Sequence, residues 1–156
     1  MKLNILSDLH LGQGALPLPD APADLVVLAG DIARPAQAIA WAAQWGRPTL
    51  YVAGNHEFYG SSLAATIRAL KAASVGTPVR VLDDEAVVID GVRFLGSTLW
   101  TDFRLFGDGE PREQAQAAAQ GFMRDFTRIF IDDGLSQPLT PGAHGPRFDL
   151  VFGAAR

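Results

Sequence analysis

Apolar positions along this chain come in short runs, each closed by a glycine or an acidic residue. KLNILS (2–7) stops at Asp8, LVVLAG (25–30) stops at Asp31, and TLYVA (49–53) stops at Gly54. Such runs have strand length, and those that are apolar throughout fit strands buried on both faces. PAQAIAWAAQW (35–45) instead carries apolar residues at helical spacing, opens on Pro35 and closes at Gly46. SLAATIRALKAAS (62–74) reads as a second helix, with Leu63, Ile67 and Leu70 on one face and Gly76 beyond its end. Strands alternating with helices predict an α/β fold with parallel strands.

The pattern then changes. VRVL (79–82), AVVI (86–89) and VRFLGS (92–97) predict three more strands, with Asp90-Gly91 as a two-residue hairpin turn between the last two. A helix is expected within 111–131, with Phe122, Phe126, Ile129 and Phe130 on or near one face. The Gly/Pro-rich stretch 12–24 is long for a plain connector, and loops of that kind are often functional. The tail, 134–156, is rich in proline and glycine and does not read as a closing element of the sheet.

Composition narrows the field. A length of 156 residues suits one domain. A net charge of -4 with no run of Lys or Arg argues against a nucleic-acid surface. It leaves room for a phosphorylated substrate, because a bound metal supplies positive field locally. With no cysteine, disulfides, thiolate zinc sites and cysteine nucleophiles are excluded. The N-terminus lacks signal-peptide features and no stretch is long enough to span a membrane, so a cytoplasmic protein without a membrane partner is expected.

The polar residues that close the runs form a mixed oxygen and nitrogen donor set of the kind that suits a metal. Asp8 and His10 follow the first strand, Asp31 the second, and Asn55, His56 and Glu57 the third. In an open parallel sheet the carboxyl ends of neighbouring strands share one edge, which gathers these groups in one place. Carboxylates, imidazole and carboxamide together suit hard or borderline divalent ions, and manganese, iron, zinc and magnesium all fit. Two such ions suit hydrolysis of a phosphate ester, with an imidazole to protonate the leaving oxygen. Gly30 and Gly54 precede ligands where the backbone must turn without a side chain in the way.

SDLHL (7–11), AGDI (29–32) and GNHEFY (54–59), in this order and spacing, resemble the first three blocks of the calcineurin-like metallophosphoesterases. FLGSTLWTDF (94–103) is similar to a stretch of a bacterial phosphoesterase branch, and the resemblance covers residues 1–133. It implies a layered β-sandwich flanked by helices, of which this chain carries the N-terminal portion, followed by an atypical tail at 134–156. It further implies two divalent metal ions and hydrolysis of phosphate mono- or diesters. Carried over residue by residue, Asp8 and His10 would hold the first metal, Asp31 would bridge both, and Asn55 would bind the second metal and the substrate. His56 would contact the phosphate and assist the leaving group. Glu57 is expected to orient its neighbours or cap a turn.

The family's site also draws on three later histidines, which with His10 and His56 would make five, and this chain has three in all: His10, His56 and His144. The second metal shell is therefore expected to be incomplete and the chain to be C-terminally truncated, which would leave an apolar sheet face open. A metal-binding remnant without activity stands as the alternative to an enzyme. Plainer roles were weighed for single residues. Asp31 suits an N-cap, Arg34 a solvated surface, Trp41, Trp45 and Trp100 the core, Asp83–Glu85 a solvated turn, and His144 an exposed loop.

Overall fold

The structure, a computed structural model, describes residues 1–12, 16–19 and 21–142. His144 and the end of the Pro/Gly-rich tail lie outside the described residues. Strands β1 (Leu3–Leu6), β2 (Leu25–Ala29), β3 (Thr49–Val52), β4 (Ser61–Ser62), β5 (Val79–Val81), β6 (Glu85–Ile89), β7 (Val92–Gly96) and β8 (Ile129–Phe130) alternate with helices α1 (Pro35–Ala43), α2 (Leu63–Ser74), α3 (Glu110–Phe122) and α4 (Asp125–Arg128). The main sheet is parallel with order β1-β2-β3-β5, in a register that sets Leu3 beside Leu25, Val26 beside Thr49, and Thr49 beside Val79. The chain is thus mixed α/β with a parallel sheet, and α1, α2 and the strands up to β7 that the sequence predicts lie within two residues of their expected bounds.

Local chemistry explains the two long crossover elements. Pro35 sits in the first turn of α1, where its missing N–H costs nothing. The Ser62 side chain caps α2 by accepting the Ala65 N–H at 3.0 Å, and Gly76 turns the chain away at φ +75°. Both helices cover one sheet face. Ala38, Ile39, Trp41 and Ala42 of α1 and Ile67 and Leu70 of α2 form a single core with Val26, Leu28, Tyr51, Val79 and Val81. Trp41 belongs to this core, with Trp45 and Trp100 packed against it, as expected for all three tryptophans.

The opposite face has a thinner cover. β6 and β7 form an antiparallel hairpin whose turn residues Asp90 and Gly91 both have positive φ, as a type I′ turn requires. Its Val87, Ile89 and Phe94 pack on Leu25, Leu50 and Leu82. Leu3 and Ile5 of the edge strand β1 stay exposed, as do Val88, Val92 and Leu95 of the hairpin.

Two expectations need correction. The helix within 111–131 is two helices parted by an extended Met123, because α3 is Gln-, Glu- and Ala-rich and buries little beyond Ala119. Phe122 consequently lies 76% exposed, whereas Phe126 and Ile129 enter the core from the next segment. The acidic stretch at 83–85 is also more than a solvated turn: Glu85 starts β6 and pairs with Lys71, and Asp84 accepts the Ser97 hydroxyl.

Leu28 is fully buried between the helices and the sheet. Leu28→Ala is expected to lower unfolding free energy by about 2–5 kcal/mol in urea titrations; a loss of about 0.5 kcal/mol or less, the surface range, would contradict this packing.

Candidate metal centre

The loops that follow β1, β2 and β3 meet at one edge of the sheet. Past the end of β1 the chain stays alongside the loop after β2: the N–H groups of Asp8, His10 and Leu11 donate to the carbonyls of Gly30, Asp31 and Ile32 at 2.8–3.0 Å. Gly30 and Gly54 then touch backbone to backbone. A Cβ on Gly30 would lie 2.8 Å from Gly54 Cα, and one on Gly54 would lie 2.6 Å from Asp31 N and overlap its carboxylate. Only glycine at both positions lets these loops approach.

The result is a tight group. His10, Asp31 and His56 each present a ligand atom, and all of these atoms lie within 4.8 Å of one another. The His10 and His56 rings stand 4.6 Å apart edge to face, and His56 stacks on Tyr59 at 4.5 Å. Asp31 Oδ1 accepts the His56 backbone N–H at 2.9 Å, which ties the carboxylate to the loop after β3. Asp8 ends at the same edge but outside this three-residue group. Asn55 lies just before the 3-10 turn His56–Phe58.

The backbone here is unusual. Asp8, His10 and Asp31 all adopt positive φ, at 55°, 45° and 56°. L-residues avoid this region at about 1–2 kcal/mol each, although Asp tolerates it better than most. Strain of that kind collects where side chains must be aimed rather than merely packed. Asp31 does not cap α1: the residue before that helix is Arg34, and no side chain caps it. Arg34 is exposed, as expected, and its guanidinium also donates to the Tyr59 carbonyl.

Glu57 holds the loops in place. It is 1% exposed, and its carboxylate accepts from Asp31 N at 3.0 Å, Ile32 N at 2.7 Å, Gly54 N at 2.9 Å and the Tyr51 hydroxyl at 2.7 Å. The expected orienting role therefore matches the geometry. Burial, with the neighbouring Glu57 charge next, pushes the Tyr51 phenol far above its ordinary value.

One residue of the site was not anticipated. Asp125, on α4, is buried and bonds Asn55 and Tyr59. Its only sequence signal is an acid inside the apolar stretch FMRDFTRIF, which marks a buried polar group in need of partners. Burial and the hydrogen bond to Asp125 raise the Tyr59 phenol to about 12. Two cavities flank the contact between Asn55 and Asp125. One of about 550 Å³ is largely apolar, with Leu95, Trp100, Phe103 and Phe126 in its wall. The other, about 360 Å³, is lined by His56, Tyr59, Arg124 and Arg128, so positive charge stands beside the imidazole.

No protein-family model matches the chain, and no curated protein matches it. Among the described residues, no helix is long and apolar enough to cross a membrane.

Two measurements check this geometry. Glu57→Gln replaces an acceptor oxygen by an NH₂ group facing N–H donors, and each donor left unpaired should cost about 1–3 kcal/mol of stability in urea unfolding; an unchanged midpoint would remove Glu57 as the anchor. The chain has two tyrosines, and both are raised in the fold. Their contribution to stability is fully present below the unfolded value of about 10 and lost as pH climbs above it. Ultraviolet phenolate absorbance should therefore rise together with unfolding. A phenolate signal centred near pH ~10 in the still-folded chain would show that the tyrosines are not held as described.

Proposed function

We propose that the chain is a metal-dependent phosphoesterase of the calcineurin-like kind, acting on a small phosphorylated substrate in the cytoplasm. The parallel sheet and the hairpin across its second face are then parts of that family's layered fold. The observation that carries the reading is the convergence of His10, Asp31 and His56 within 4.8 Å at three strand ends, on backbone that is left-handed at Asp8, His10 and Asp31. Backbone strain at side chains that converge on one point is the pattern expected of a binding or catalytic site.

The donor chemistry fits a divalent ion. The assigned donors, two carboxylates, one imidazole and a carboxamide oxygen, suit manganese, iron, zinc or magnesium. Metal bound there supplies Lewis acidity toward a phosphoryl oxygen and lowers the pKa of water, most effectively as a pair about 3.5–4 Å apart. Asp8, His10, Asp31 and Asn55 are the residues assigned to hold it. Asp31 comes from the middle strand of the three, which suits it to sit between two ions. His56 is assigned to donate a proton to the leaving oxygen, its ring held against Tyr59. Arg124 and Arg128, on the cavity wall beside His56, provide positive charge for a second anionic part of the substrate.

One observation favours a second reading. The group includes His56 itself, and three ligands suffice for a single ion. The chain would then bind metal without hydrolysing esters.

The test is hydrolysis of an aryl phosphate monoester and diester with manganese present, alongside Asp31→Asn and His56→Ala. Turnover that needs metal and vanishes in Asp31→Asn is expected. His56→Ala should lose roughly 10²–10⁴-fold in rate while keeping most of its metal affinity. Equal loss of metal and turnover in His56→Ala would move that residue into the ligand set. Manganese binding without turnover would leave the second reading, and neither binding nor turnover would overturn both.

A further inference from the structure

We propose that Asp125 is a positioning residue that fixes the Asn55 carboxamide, so that its oxygen is the atom offered to metal. The inference rests on the phosphoesterase reading above and adds to it a residue from outside the three strand-end loops.

No cap bond to the backbone orients the Asn55 side chain, although the residue occupies the position before the 3-10 turn. Its amide meets a carboxylate 70 residues away, with Nδ2 donating to Asp125 Oδ1 at 2.8 Å and, at a longer 3.4 Å, to the Tyr59 hydroxyl. An ionised carboxylate only accepts, so the group facing it must be the NH₂. The amide orientation follows from chemistry, and the carbonyl oxygen is left on the other side of the plane. A carboxamide binds a hard or borderline cation through that oxygen. A free amide would have to be turned the right way on each binding event; this one is held.

Asp125 does a second job through the same oxygen. Oδ1 also accepts the Tyr59 hydroxyl at 2.7 Å, and the Tyr59 ring is the surface on which His56 stacks. A single carboxylate therefore fixes the proposed ligand directly and the proposed proton donor through one ring.

The fold brings Asp125 there deliberately tightly. Ser61 and Ser62, just past the GNHEFY stretch, pair in parallel with Ile129 and Phe130, and Gly60 N donates to the Arg128 carbonyl at 2.6 Å. Phe126 and Ile129 anchor the same segment in the core. Asp125 is itself 5% exposed, and among the described residues no ion pair within 4.0 Å neutralises it. An acid buried on neutral donors costs stability that an apolar residue would not. A positioning task accounts for that cost, and packing does not.

The experiment measures Mn²⁺ affinity by titration calorimetry for the full unsubstituted chain, Asp125→Ala and Tyr59→Phe. Asp125→Ala should bind about 10–100-fold more weakly, the range for loss of an outer partner of a ligand. Tyr59→Phe keeps the 2.8 Å bond from Asn55 to Asp125, loses only the long one to the Tyr59 hydroxyl, and should stay within about threefold of the unsubstituted chain, well short of that range. Equal affinity in Asp125→Ala overturns the inference, and so does an equally large loss in Tyr59→Phe, which would make the Tyr59 hydroxyl the group that sets the site. No Mn²⁺ binding by the unsubstituted chain overturns the phosphoesterase reading instead. Should Asp125→Ala fail to fold, the Asn55 side-chain amide protons of the unsubstituted chain decide by NMR: slow exchange with solvent supports the bond to Asp125, and rapid exchange removes it.

Discussion

The Glu57 carboxylate is the point on which the sheet edge depends. Four donors from three places in the chain converge on its two oxygens: the Tyr51 hydroxyl within β3, the N–H groups of Asp31 and Ile32 after β2, and that of Gly54 after β3. A buried carboxylate is costly unless its lone pairs are filled, and here they are filled without a cation. Hydrogen bonds to a charged group contribute about 1.5–3 kcal/mol each, so the set is strong enough to hold two loops in conformations they would otherwise leave. The loop after β1 is then carried along by its backbone bonds to Gly30, Asp31 and Ile32.

That anchoring explains how the left-handed residues persist. Asp8, His10 and Asp31 each sit in a backbone region that an L-residue enters at a cost. None of them would stay there in an isolated loop. The bonds to Glu57 and the contact of Gly30 with Gly54 over-determine the backbone, and the side chains emerge in fixed directions. Stability is thereby taken from the core of the sheet edge and expressed as strain at the residues that face solvent.

Much of this was legible in the sequence. The uninterrupted apolar runs marked the strands, and Asp90-Gly91 marked the hairpin, because both signals act over a few residues. The polar residues after each run were found for the same reason. Asp125 was not, since its meaning depends on a partner 70 positions away and on pairing between two-residue strands too short to leave a pattern. The break at Met123 was missed because Phe122, Phe126, Ile129 and Phe130 mimic a helical stripe. Glu57 fell between these cases: its neighbours named it as an organiser, but the four donors could only be counted in three dimensions.

The contact between Gly30 and Gly54 has a consequence for how such a protein can diversify. Two loops that touch through bare backbone leave no volume in which a substitution can be absorbed, so that part of the edge is closed to gradual change. The walls of the two neighbouring cavities are different. Leu95, Trp100 and Phe103 on one side, and Arg124 and Arg128 on the other, come from segments that share none of these contacts. Size, polarity and charge around the site can be altered there, one side chain at a time, while the residues at the strand ends keep their places.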